Sequence, residues 1–216
     1  MPQMPESRPS LRPVRWVQML RMQGKPVLSL TLSLPRVTGD ARGCAVIDRH
    51  YAKLRDAWRS RWTGPLYQKA AQEVLSQGCP PWTAVLDHTV TLHTEDLLSL
   101  FWTACVTTAQ GSHAVRCGEC WDVKTGALLT LSDVLPASVR RRALLSALEQ
   151  EAGTLEEQGL PLKPDWQTLL RRRFQPDRFW RTADATVFFF PPGLLAPPES
   201  GFLLLNCSDS RFFQQR

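Results

Sequence analysis

His113, Cys117 and Cys120 follow one another as H-x3-C-x2-C, a spacing at which imidazole and thiolate groups can share a Zn²⁺ ion. The backbone they sit on argues against that use. Residues 114–122 read as one β-strand, in which side chains three apart point to opposite faces. Cys117 then shares a face with Val115 and Trp121, and Cys120 with Arg116 and Asp122. Bringing both sulfurs to one ion needs a bulge, which Gly118 would permit, and a second Cys/His pair of suitable spacing is missing. A redox reading of Cys117-Gly118-Glu119-Cys120 fails separately, because such a motif needs the N-terminus of a helix to lower the thiol pKa. The expectation is therefore no metal and no cofactor. A hydrolase is the alternative chemistry, with His113 as base and Asp122 or Asp87 as its acid partner. No G-x-S-x-G elbow accompanies it, and no carboxylate can be assigned to orient His50, His88 or His93. His113 reads better as part of a binding or structural turn than as a catalyst.

The elements that must position these residues are legible in the patterning. Residues 27–34 alternate strictly, placing Leu28, Leu30, Leu32 and Leu34 on one face of a strand that Pro35 ends. Residues 44–77 read as a long helix, with a possible break at Gly64-Pro65 and an apolar stripe of Ile47, Tyr51, Leu54 and Trp58. Gly78 caps it and Pro80-Pro81 prevents its continuation. Three strands follow, at 83–93, 97–108 and 114–122, joined by short connections and so antiparallel neighbours. Asp133 or Ser138 is placed to cap a helix over 138–157, and Asp165 to start a shorter one ending near 173. A hairpin of 179–182 with 186–190, a Pro-rich loop over 191–200 and a last strand at 202–206 complete the chain. Residues 1–26 read as a loose leader, with at most a short helix over 14–22, and 207–216 as a tail. The fold class expected is α+β: an antiparallel sheet packed against a long N-terminal helix and further helices, forming one domain over 27–206.

Composition narrows the class without naming a function. The chain has 216 residues, 43% hydrophobic and 21% charged, with a net charge of +6, enough for one soluble globular domain. The basic triplets Arg140–Arg142 and Arg171–Arg173 fall in predicted helices and read as solvated faces. No nucleic-acid-binding signature is present, and a nucleic-acid partner is not expected. No apolar run approaches the roughly 18 residues of a membrane span, and no secretory signal is seen. The default expectation is thus a cytoplasmic protein whose six cysteines are reduced. Eight tryptophans are dispersed along the chain. Most read as packing, and any exposed ones would suit a carbohydrate- or protein-binding surface. Oligomeric state is not readable from these features.

One succession of motifs resembles a known family. Leu97-Leu98-Ser99 is followed by the turn Gln110-Gly111-Ser112-His113. Then come Asp122, Thr125-Gly126, Leu129, Leu131 and Asp133-Val134-Leu135, and near the C-terminus Phe190, Leu195-Ala196-Pro197 and Gly201. In this order and spacing the chain resembles the extracytoplasmic domain of RsiV-type anti-sigma factors, which also occurs beside bacterial peptidoglycan deacetylase domains. Gln110 stands where that family has a glycine, and Gly193 where it has a tyrosine. The resemblance implies an α+β fold and a non-catalytic binding or sensing module of the cell envelope. It implies a protein partner such as lysozyme, or a peptidoglycan-related ligand. Combined with the turn's position, it nominates Gly111, Ser112, His113 and Trp121 as binding residues.

Overall fold

The computed structural model describes residues 8–208 and Ser210. Strand β2 (Lys25–Thr38) is the alternating segment, and its Leu28, Leu30, Leu32 and Leu34 are all buried at 1% exposure or less. It lies second in a five-stranded sheet of order β1-β2-β3-β4-β5, completed by β1 (Ser10–Met22), β3 (Trp82–His93), β4 (Leu97–Thr108) and β5 (Gly111–Asp122). The meander β3-β4-β5 is antiparallel throughout, as its short connections require.

Strand β1 corrects the reading of a loose leader. From Ser10 onward that stretch is extended and pairs with β2 along its whole length. Its arginines and Gln18 interrupt the apolar pattern because the strand is an edge strand, and Leu11, Trp16, Leu20 and Met22 pack inward on the core. The turn joining it to β2 is Gln23-Gly24, both with positive φ, the backbone of a two-residue hairpin. Residues 1–7, the start of the proposed leader, lie outside the described residues. At the other end the proposed tail begins too early: Cys207 and Ser208 belong to the last strand.

The sheet has one parallel junction, between β2 and β3, where Leu28–Leu32 run beside Trp82–Leu86. A parallel neighbour needs a long crossover, and the helical segment supplies it. Helix α1 (Arg42–Arg61) passes through a π-helical turn, Trp62–Leu66, directly into α2 (Tyr67–Gln77). The suspected break at Gly64-Pro65 is this turn. Pro65 has no N–H to give an ordinary helical bond, and the wider turn carries the chain past it without ending the helix. Gly78 then stops α2 at φ 66°, its N–H bonded to Val74 O. Ile47, Tyr51, Trp62, Ala70 and Val74 bury the helix against the leucines of β2 and the β3-β4 strands, forming the first core.

The C-terminal third builds a second layer on the opposite face. Thr130 and Asp133 form a reciprocal capping box on a one-turn helix, α3 (Leu131–Val134), so Asp133 does not cap the longer helix. That helix, α4 (Arg141–Glu157), begins after Arg140, three residues later than expected. With α5 (Trp166–Arg173) it covers a three-stranded antiparallel sheet of β6 (Phe179–Arg181), β7 (Ala185–Phe190) and β8 (Leu203–Ser208). Leu144, Leu148, Trp166 and Leu170 meet Phe188, Phe190 and Leu205 there. The other face of this small sheet sets Trp180 and Phe189 against Phe101 of β4. The architecture is α+β, as the patterning implies. Its layers are helix, main sheet and small sheet backed by helices.

Candidate functional site

Gly111, Ser112 and His113 lie exposed at the tip of the β4–β5 hairpin. Thr108 Oγ1 stabilises the turn by accepting from Gln110 N at 3.1 Å. Ser112 and His113 point apart, as strand neighbours do. The Ser112 hydroxyl bonds Thr107 Oγ1 at 2.9 Å. His113 sits opposite Val106, on the face that carries the long helix.

On that face the tip closes one side of a cleft of about 510 Å³. The opposite wall is the π turn with the ends of the two helices it joins. Trp58, Trp62 and Trp82 form much of the lining, together with Arg61, Lys69 and His113. No carboxylate lines it. Arg61 rests over the Trp58 ring at 5.5 Å and Lys69 over the Trp82 ring at 5.6 Å, within cation–π range. Neither cation is paired with an acid among the described residues. Trp82 is 3% exposed, and its Nε1–H is buried with no acceptor among the described residues. An unmet buried donor costs about 1–3 kcal/mol.

Trp121 does not belong to this site. It lies eight residues along β5 from His113, about 27 Å away at strand rise, and is 4% exposed. A surface contact at Trp121 is therefore corrected to a structural role, set by a carboxylate that sequence reasoning passed over. Glu119, 6% exposed, accepts from four donors: Tyr51 Oη at 2.6 Å, Trp102 Nε1 at 3.1 Å, Trp121 Nε1 at 3.2 Å and His50 Nε2 at 3.3 Å. Trp121 Nε1 also reaches Tyr51 Oη at 2.9 Å. Burial alone would push the Glu119 carboxyl up. The bonds from His50, Tyr51 and Trp102, with the charge of His50, outweigh it, and Glu119 titrates below the usual carboxylate range. Burial and the Glu119 charge push the Tyr51 phenol well up. The cluster holds α1 to the end of β5. The available signal was periodicity: Tyr51 on the helix stripe, Glu119 and Trp121 on one strand face.

The cysteine motif is resolved by register. Strands β4 and β5 pair without a shift from Leu97↔Asp122 to Thr108↔Gly111. Cys117 therefore faces α1 with Glu119, while Cys120 turns to the small sheet and lies 3.2 Å from Ser99 Oγ. Gly118, the residue that could have bulged, has another duty. A Cβ there would stand 2.0 Å from Phe179 O, so its lack of a side chain lets β5 and β6 touch. Burial, then the charges of Glu119 and Asp177, push the Cys117 thiol up to about 12, which makes it a poor nucleophile. Cys117 borders a second, larger cleft of about 850 Å³, walled mainly by Leu128, Leu131, Leu135, Leu144 and Phe174.

The acids nominated for a hydrolase are placed elsewhere. Asp122 Oδ1 accepts from Thr125 N at 2.8 Å in a tight turn, and Asp87 Oδ1 accepts from His88 N at 2.8 Å. Neither lines the tryptophan cleft. Five of the eight tryptophans are buried at 5% exposure or less, and Trp16, Trp58 and Trp102 are half-buried.

With the geometry in place, solved structures show where the architecture recurs. A DUF3298 family member from Bacteroides fragilis NCTC 9343 matches with a TM-score of 0.66 at 12% identity, over 97% of this chain and 94% of that one. A DUF3298 family protein from Pseudomonas aeruginosa PAO1 matches with a TM-score of 0.59 at 13% identity, over 95% and 93% of the two chains. The fold is that of DUF3298 proteins. At these identities the likeness establishes fold, and it fits the RsiV-like resemblance at that level. No protein-family profile matches the sequence, and no curated protein does. No helix among the described residues is long and apolar enough to cross a membrane.

Proposed function

We propose that this protein is a non-catalytic binding or sensing module of the RsiV-like type, and that its ligand docks at the tryptophan cleft through the Gly111–His113 tip. The observation that carries the reading is the placement of that tip. The residues nominated from the turn motif stand at the mouth of a concave surface built by the helix crossover, a rigid scaffold that presents an exposed loop. The lining supports binding rather than catalysis, because the only titratable groups there are cationic or imidazole and no acid orients His113. The partner class, a lysozyme-like protein or a peptidoglycan-related envelope ligand, comes from the family resemblance.

The test is a pull-down with the immobilised full chain, offering lysozyme and soluble peptidoglycan fragments in parallel. The native chain is expected to retain one of them, and His113→Ala to lose at least tenfold in affinity. Equal retention by native and His113→Ala chains would remove the tip from the site. Retention of neither ligand would overturn the partner class.

A further inference from the structure

We infer that the tryptophan cleft is built to receive an oxyanion, a carboxylate or phosphate group carried by a small ligand, held by Arg61, Lys69 and His113. This inference rests on the cleft being the binding site, and it adds the chemistry of what enters. Three independent observations converge.

The first is charge. Arg61 and Lys69 come from the adjoining ends of α1 and α2, His113 from β5 far along the chain, and the three meet around one concavity that contains no acid. Cations on a solvated face normally alternate with acids or point away from one another. Here the crossover helix and the hairpin tip bring them together, so their potentials add in a recess with low-dielectric walls. The second is the state of the aromatic rings. Trp62 is 1% exposed and Trp82 3%, and the Trp58 and Trp82 faces are already occupied by Arg61 and Lys69. The rings therefore act as supports that hold two flexible cations in place, rather than as open platforms for stacking. A ligand meets guanidinium, ammonium and imidazole before it meets indole. The third is the buried Trp82 Nε1–H, which has no acceptor among the described residues. Trp82 lines the same cleft as Lys69, Arg61 and His113. A volume of about 510 Å³ suits a ligand of small-molecule size.

Titration of the full chain with inorganic phosphate in one arm and acetate or glucuronate in the other, followed by calorimetry and by tryptophan fluorescence, tests the inference. Saturable binding at one site is expected in at least one arm, and the stronger arm identifies phosphate or carboxylate as the natural group. Arg61→Gln and Lys69→Gln, both at exposed positions, are each expected to weaken binding at least tenfold. Arg36→Gln, an exposed charge on β2 outside the cleft, is expected to leave it unchanged. Circular dichroism of each variant checks that the fold persists. Loss of binding in Arg36→Gln equal to that in the cleft variants would reduce the effect to net charge and overturn the inference. Absence of saturable binding in both arms would also overturn it. If a His113-dependent partner is nonetheless retained in the pull-down, the cleft stands as a docking site and only its anion specificity falls.

Discussion

Glu119 shows how much one side chain can settle. It is a buried carboxylate with four donors, and each donor is a group that would itself be costly to bury unpaired. Its pKa is held below the unfolded value of 4.5, so folding favours the ionised form. That contribution is fully present above the unfolded value and is lost as pH falls through the lower, folded one. Glu119→Gln keeps the shape but removes the charge and sets an amide N–H₂ against donors. It is expected to lower stability at pH 7 by about 2–4 kcal/mol, within the range for disrupting a buried charged network. Urea unfolding at pH 7 and pH 3 checks this: the gap between native and variant should narrow at the lower pH. A gap that stays constant would place the stabilisation elsewhere. From sequence alone Glu119 was one letter inside a cysteine motif. Its role depends on His50 and Tyr51, about 70 positions away, and periodicity gives each residue its face without saying that the two faces meet.

Elements were legible where one face alone decides burial. Strand β2, the crossover helix and the meander all follow from periodicities of two or 3.6, and Gly78 ends the helix as its sequence implies. Strand β1 was missed because an edge strand need only bury alternate residues, and its arginines look like the chemistry of a leader. The candidate site divides the same way. The hairpin tip could be read from a turn motif, whereas the wall facing it arises from a helix joined to the tip only by tertiary structure. Close approach between elements is the third thing sequence hides. Gly118 and Gly43 both stand where a Cβ would meet backbone, at 2.0 Å from Phe179 O and 2.1 Å from Val123 O. Gly118→Ala must push β6 off β5 and is expected to cost about 2–3 kcal/mol, at the upper end for overpacking. Thermal melting should register the loss. An unchanged melting temperature would mean that the two strands separate freely.

At the scale of the molecule, two cores share one sheet. The main sheet is joined to the small sheet by polar contacts at Ser99, which is fully buried. Its Oγ accepts from Arg181 N at 2.8 Å and from Thr91 Oγ1 at 3.2 Å, and Thr91 Oγ1 also approaches Arg181 O at 2.6 Å. The two sheets are therefore held together through hydrogen bonds as well as through apolar area. The parallel junction between β2 and β3 has a temporal meaning too. The β1–β2 hairpin and the β3–β4–β5 meander close short loops, so each can assemble quickly. Their union must wait until residues 28–32 find 82–86 across the entire crossover, and long loop closures are slow to be rewarded by contacts. Refolding is expected to be limited by that encounter. In stopped-flow experiments Leu86→Ala, at the junction, should slow refolding. Leu11→Ala, on the outer hairpin, should chiefly speed unfolding. The reverse pattern would mean that the chain commits to its topology at an edge rather than at its centre.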